Sequence, residues 1–308
     1  MKKLSEGRKM FISVMVVFAV YAFIFILFED YDRRFIQPFE EASDWHLLLF
    51  SLVVMGGLSL LLHRYAHKMD ERISREQAEN ENRMRRELTQ NISHELKTPV
   101  ASILGYTETI LDNPDMSDDT RHQFIVRTHA QSQRLSSLLQ DISILNRMDY
   151  AADMLKMERT DVSQIVTDIT EETAPAFAKK QMTMRNCLPQ GIVILGNASL
   201  IYSIFRNLID NAVNYAGEGT VVELIAIDKG SSWLFVVSDN GIGIAKEHLP
   251  RIFERFYRID KGRSRQLGGT GLGLAIAKNA VLLHNGTISA KANPNGHGLL
   301  FEFTLKKN

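Results

Sequence analysis

Hydrophobic and polar positions follow three regimes along this chain. At first they scarcely alternate. "MFISVMVVFAVYAFIFILF" (10–28) carries no charge over nineteen residues, and "WHLLLFSLVVMGGLSLLL" (45–62) carries only His46 near its edge. A run of ~20 apolar residues matches a hydrocarbon core about 30 Å thick, so both segments are expected to be membrane-spanning helices. A cleaved signal peptide fits the first run poorly, since the run is long and no small-residue cleavage pattern follows in "FEDYDRRF". From Arg64 to Gln90 the chain is densely charged and free of Gly and Pro, with Met69, Ile73, Met84 and Leu88 as a sparse apolar stripe. That predicts a helix leaving the membrane and pairing with a copy of itself.

The stripe then thickens. Ile92, Leu96, Val100, Ile103, Leu104, Ile110 and Leu111 recur at helical spacing until "DNPDMSDD". There Asn113-Pro114 signals a turn, and Ser117 with Asp118 and Asp119 behind it makes an N-terminal cap. A second helix is predicted from about Asp118 to Met148, with Phe124, Leu135, Leu138, Leu139, Ile142, Leu145 and Met148 on its buried face. Two antiparallel helices cannot enclose a core. Two such hairpins can, as a four-helix bundle, so a homodimer is expected.

After Asp149 the periods mix. "MLKMER", "MTMRNC", "GIVILG", "TVVELIAID", "WLFVVSD", "GTISAKA" and "LLFEFTL" read as strands. Helices are expected from an Asp161 cap to about Lys180, over Ala198 to Tyr215, and over Gly271 to His284. The clustering argues for an α+β sandwich of one sheet against helices.

Composition sharpens the picture. Lys plus Arg equals Asp plus Glu at 36 each, so no net field favours nucleic acid, and no direct nucleic-acid partner is expected. A single cysteine, Cys187, excludes an intrachain disulfide or a thiolate zinc cluster and reads as a small semi-buried core residue. Lys2, Lys3, Arg8 and Lys9 precede the first apolar run, and His63, Arg64, His67 and Lys68 follow the second. The segment between them is acid-rich. The positive-inside tendency places both termini in the cytoplasm and the loop 29–44 outside. Sixteen residues are too few to bury a core, so no folded external domain is expected there.

Candidate chemistry begins at "NISHELKTPV" (91–100). Thr98 stands where a zinc-protease HExxH helix needs its second histidine, which rules that chemistry out. A neutral imidazole is a competent nucleophile near pH 7, and Glu95 can hold its other ring nitrogen protonated. Thr98 lies at i+4 on the face of His94, and Pro99 frees the carbonyl of Glu95. This combination suits a histidine that is transiently modified. A donor site is suggested by "DNGIGI" (239–244), where Asp239 can accept from an exocyclic amine while Gly241 and Gly243 admit a flat base. "GGTGLGL" (268–274) opens a helix whose amides can cradle phosphate, without the Lys-Ser/Thr of a Walker loop. Asn207 and Asn211 share a helix face in "NLIDNAVNY", where an amide oxygen can complete a magnesium shell. In "IFERFYRIDKGRSRQ", Phe253 and Phe256 read as anchors of a mobile lid, and Arg258, Arg263 and Arg265 as candidate phosphate contacts.

In this order, "SHELKTP", "NLIDNAVNY", "DNGIGI", "IFERFYR" and "GGTGLGL" closely resemble the phosphoacceptor, N, first glycine, phenylalanine and second glycine boxes of membrane-bound sensor histidine kinases of two-component systems. The resemblance runs from about residue 84 to the end. It implies ATP and Mg²⁺ as cofactors, with Asp239 on adenine and Asn211 on the metal. Asn207, Tyr215, Gly241, Gly243, Arg258, Gly269, Thr270, Gly271, Leu272 and Gly273 would complete the nucleotide site. His94 would take the γ-phosphoryl group with Glu95 as base and pass it to an aspartate of a cognate response regulator. Thr98 matches the position that orients water for dephosphorylating that regulator.

The implied organisation is a membrane region 1–62, a helical linker 63–83, a dimerisation and phosphotransfer domain 84–150 and an ATP-binding domain 151–308. That last domain would have the fold shared with gyrase and heat-shock chaperones. The implied setting is the bacterial cytoplasmic membrane, with the lipid bilayer and a membrane protein as candidate signalling partners. Asn214 replaces a frequent phosphate-contacting lysine, and Ala245 a frequent proline. The family's usual relay between membrane and hairpin has no room between Leu62 and His94, so signals would travel directly along the helix. Two rivals remain: an ATP-hydrolysing enzyme of the same superfamily and a degenerate kinase serving as a scaffold. Hydrolytic relatives carry a water-activating glutamate where this chain has Asn207, and intact boxes argue against a scaffold.

Overall fold

The computed structural model describes residues 15–16, 19–20, 22–27, 29–31, 45–150, 155–260, 269–294 and 297–307, without the side chains of 45–51, 77, 80–82, 84–85, 87 and 150. These divide into two compact units, Met1–Glu87 and Leu88–Asn308. In the first, the described positions between 15 and 31 are helical, and helix α1 (Trp45–Asp112) begins. Leu52, Val53, Leu60 and Leu61 of α1 are exposed. Among the described residues no helix is long and apolar enough to cross a membrane. Positions 10–14, 17, 18, 21 and 28 of the first expected span, the side chains of 45–51 in the second, and 32–44 of the expected loop lie outside the described residues.

The second unit opens with a helical hairpin, the C-terminal part of α1 and helix α2 (Asp118–Tyr150). The α1 helix continues through Pro99, which is buried. At the turn, the Ser117 hydroxyl accepts from the Thr120 amide, and Asp118 and Asp119 occupy the first turn of α2, where they complement the helix dipole. Leu138, Leu145 and Met148 are buried as expected, and Leu96 and Ile142 pack against the same core. Leu139 is not: it is 49 % exposed, as are Val100, Leu104 and Leu111 of α1 at 49, 55 and 78 %. One hairpin has two helices and therefore a second apolar flank left uncovered.

The remainder is a two-layer sandwich. Strand β1 (Glu158–Asp161) pairs antiparallel with β3 (Val193–Gly196). It starts four residues later than "MLKMER" suggested and runs into the cap itself, because the partner register places Asp161 against Val193. The main sheet has five strands: β2 (Thr183–Cys187), β4 (Val221–Asp228), β5 (Ser232–Asp239), β6 (Ile288–Ala292) and β7 (Leu299–Lys306). Their order is β2-β4-β5-β7-β6, with only β2–β4 parallel. Cys187, expected in the core, is exposed, because β2 is an edge strand with only Met184 partly covered.

Along β7 every second residue is buried, which gives the sheet one covered face. Helices α3 (Val162–Lys179), α4 (Ala198–Tyr215) and α5 (Gly273–Leu283) supply the covering layer. Phe205 of α4 meets Phe235 and Phe303 edge-on at 5.3 Å, and all three are fully buried. Asp161 caps α3 by accepting from the Gln164 amide, and Asn197 caps α4 by accepting from Leu200. His284 ties that second cap to the core: its Nε2 accepts from the Asn197 amide at 3.0 Å, so Nδ1 is the protonated nitrogen and donates to Ala280.

Candidate functional site

Two of the cavities formed by the described residues lie in the Leu88–Asn308 unit. A shallow groove of about 470 Å³ is lined by His94, Lys97, Thr98, Ala101 and Ser102. His94 lies open in it, its side chain 69 % exposed, while the neighbouring Glu95 is only 12 % exposed. Thr98 donates its hydroxyl back to the His94 carbonyl at 3.3 Å, so both face the groove one turn apart. The expected hydrogen bond between Glu95 and the ring is not made: His94 Nδ1 and Glu95 Oε1 stand 3.9 Å apart. Glu95 Oε2 instead accepts from Arg134 of α2 and from Arg258, each at 3.1 Å.

A larger cleft of about 860 Å³ lies between the hairpin and the sandwich. Asn207, Asn211 and Tyr215 reach it from α4, and Gly243 from the turn after β5. Arg258, Gly269, Thr270, Gly271 and Gly273 close its other side. Asp239 and Gly241 lie at the end of β5 and Leu272 directly before α5, and none of the three lines the cleft. Leu272 is fully buried in the core, so only its backbone can serve a ligand. Asp239, 7 % exposed, accepts on Oδ1 from the Gly241 amide at 2.9 Å and from the Leu299 amide at 3.3 Å. Burial raises its carboxyl above the usual value despite those two bonds. A Cβ at Gly241 would drive into the Ala216 carbonyl, so only glycine fits where this loop crosses the end of α4.

The second glycine run enters α5 two residues later than expected, at Gly273, since Gly271 is left-handed at φ +75°. Its carbonyl accepts from the Phe256 amide at 2.8 Å, and a side chain there would press on Phe256 Cα and Arg258 Nε. Phe256 itself has φ +62°, a strained setting for a bulky residue. Phe253 packs edge-on against Phe301, which anchors the segment as expected. Arg263 and Arg265 lie outside the described residues.

The hairpin supplies part of the cleft wall that the sequence reading did not anticipate. Ser137, Gln140, Asp141 and Ile144 line it from α2, and Asp141 Oδ2 accepts from the Thr270 hydroxyl at 2.7 Å. Burial raises the Asp141 carboxyl, and nearby Asp210 adds to that rise against the opposing effect of Thr270. Asp210 is itself raised by burial and is paired with Arg206 at 3.0 Å. Arg255 meets both oxygens of Asp149 at 2.8 and 2.9 Å. A signal for Arg134 and Asp141 was present: they sit in phase with buried Leu138, Leu145 and Met148, where a helix facing only a core would be apolar.

Known proteins carry both halves of this arrangement. Residues 84–151 match the family described as His Kinase A (phospho-acceptor) domain. Residues 196–308 match that of histidine kinase-, DNA gyrase B- and HSP90-like ATPases. The chain belongs to the sensor histidine kinases of two-component systems. It is 37 % identical over 221 residues to the sensor-like histidine kinase SenX3 of Mycolicibacterium smegmatis, which covers 72 % of this chain and 57 % of SenX3. The chain thus spans little more than half the length of the first curated relatives it matches. Full-length ShkA in complex with AMPPNP is similar at 26 % identity and a TM-score of 0.53, over 69 % of this chain and 44 % of that one. The histidine kinase ThkA in complex with response regulator protein TrrA shares the fold, with a TM-score of 0.58 at 18 % identity, over 72 % of this chain and 61 % of that one.

Proposed function

We propose that this chain is an ATP-dependent protein histidine kinase that phosphorylates its own His94 and passes the phosphoryl group to an aspartate of a response regulator. The observation that carries the reading is an open imidazole beside a carboxylate in the same folded unit as a glycine-lined cleft of nucleotide size. The cleft and the carboxylate buried beside it fit magnesium and ATP. Asp239 is a buried acceptor at the base end, the α4 amides of Asn207 and Asn211 face the cavity, and Arg258, Thr270 and the amides opening α5 stand on the phosphate side. Asn211 would hold Mg²⁺, which supplies charge neutralisation on the phosphate oxygens.

His94 presents Nε2, the nitrogen away from Glu95. As its bond to the terminal phosphorus forms, the bond to the ADP oxygen breaks and ADP leaves. Glu95 takes up the positive charge and proton of Nδ1 once it turns towards the ring. The protein's contribution is positioning and charge, as a largely dissociative transfer requires. Thr98, one turn along the same groove, would orient water against a docked regulator's phosphoaspartate, which would make the kinase a regulator phosphatase as well.

The organisation into 1–62, 63–83, 84–150 and 151–308 belongs to the same proposal. The uncovered apolar flank of the hairpin is assigned to a second copy in a four-helix bundle. The charge-free run 10–28, the apolar run 45–62 and the exposed leucines of α1 support two spans of the bacterial cytoplasmic membrane, with both termini inside. Membranes from cells producing the full chain, incubated with γ-labelled ATP, should yield acid-labile, alkali-stable label on this chain. His94→Gln should abolish it. Label that persists in the variant, or sits in the supernatant, contradicts the histidine or the membrane assignment respectively.

A further inference from the structure

Two phosphate-side groups of the cleft are already occupied by carboxylates of the hairpin. Arg258 donates to Glu95 Oε2 at 3.1 Å, and the Thr270 hydroxyl donates to Asp141 Oδ2 at 2.7 Å. Both donors line the cavity, and both acceptors are anionic oxygens, the chemistry that a nucleotide's phosphates would bring to the same positions. Arg258 is unusual beyond this contact. Its side chain is only 5 % exposed, yet Nε is buried with no hydrogen-bond partner among the described residues. An orphaned guanidinium nitrogen is costly and marks a group that is better satisfied in another setting.

The backbone that carries it points the same way. Phe256, two residues before Arg258, is held at φ +62° by its bond to Gly271, so this turn stores strain that a rearrangement would release. Arg134 donates to the same oxygen of Glu95 at 3.1 Å from within the hairpin. Glu95 therefore keeps a counter-ion when Arg258 departs, and the carboxylate is not left buried and uncompensated.

We propose that Glu95 and Asp141 are built-in phosphate mimics: they hold Arg258 and Thr270 while the cleft is empty, and bound nucleotide displaces them. Resting on the kinase reading above, this makes nucleotide binding and the release of Glu95 towards His94 a single exchange. The acid beside the phosphoacceptor becomes available when the phosphate donor has arrived. Because binding linkage is reciprocal, the hairpin carboxylates weaken nucleotide binding to the extent that phosphate weakens docking. Arg134 is then the positioning residue that keeps Glu95 in place in both arrangements.

The test is the affinity of the detergent-solubilised full chain for magnesium with a non-hydrolysable ATP analogue, with adenosine as the phosphate-free control. Glu95→Gln should bind the analogue more tightly, roughly three- to thirtyfold, because the hairpin side chain no longer competes so strongly with phosphate for Arg258. The gain should vanish in the Arg258→Met background, and adenosine affinity should not change. Asp141→Asn, which leaves the Glu95–arginine cluster untouched, should also tighten analogue binding and serves if Glu95→Gln fails to fold. Analogue affinity unchanged in both variants overturns the proposal. So does an equal gain in the Arg258→Met background or an equal gain for adenosine, since either would mean simple opening of the cleft. A wild-type chain that binds no analogue at all would instead remove the kinase reading on which the proposal stands.

Discussion

His284 is the buried imidazole of the sandwich, with one nitrogen accepting from the Asn197 amide and the other donating to Ala280. Protonation would leave Asn197 without its acceptor, and burial lowers the pKa of His284 below the usual 6.5. The folded state therefore binds fewer protons here than the unfolded chain does. The stabilisation is whole above about pH 6.5 and is lost as pH falls through the lowered folded value. Asp141, Asp210 and Asp239 are shifted upwards and act with the opposite sign. Urea unfolding of wild type and His284→Asn at pH 7.5 and 5.5 separates the terms. The variant should be less stable at pH 7.5, and its stability should fall less on acidification.

At the scale of elements, α4 is joined to the sheet by three fully buried rings, Phe205 against Phe235 and Phe303, the latter two stacked at 5.2 Å. Phe205→Ala should cost about 3–5 kcal/mol through lost transfer energy and the cavity left behind. It should be read as a lowered denaturant midpoint with an unchanged slope. The helix α4 itself was legible in the sequence with the bounds the structure gives it, Ala198 to Tyr215, because its apolar face is continuous. Short strands were legible in kind but shifted in position, as β1 was, since pairing partners rather than local composition decide where a strand begins.

The site divides in the same way. His94 and Thr98, and the asparagines and glycines of the cleft, sit in contiguous boxes that local spacing reveals. The Glu95–Arg258 and Asp141–Thr270 contacts join residues 163 and 129 positions apart. No periodicity within one helix encodes such pairs. The exposure of Cys187 was missed for a related reason, because whether a strand lies at an edge depends on the order of the whole sheet.

At the scale of the molecule, Val100, Leu104, Leu111 and Leu139 leave an apolar flank on the hairpin that a lone chain does not cover. Placing a charge there, as in Leu104→Asp, should convert the detergent-solubilised full chain from dimer to monomer in sedimentation equilibrium while leaving analogue affinity within about twofold. A species of unchanged mass would mean that the dimer is held elsewhere.

The sheet edge has a practical consequence. Cys187 is the chain's sole thiol and is accessible on β2, outside the cleft and away from the hairpin contacts described above. A maleimide dye can therefore be attached to the native chain at one defined place. Paired with a second dye introduced on α2, it would turn any separation of sandwich from hairpin into a change in energy-transfer efficiency, followed in real time as nucleotide is added.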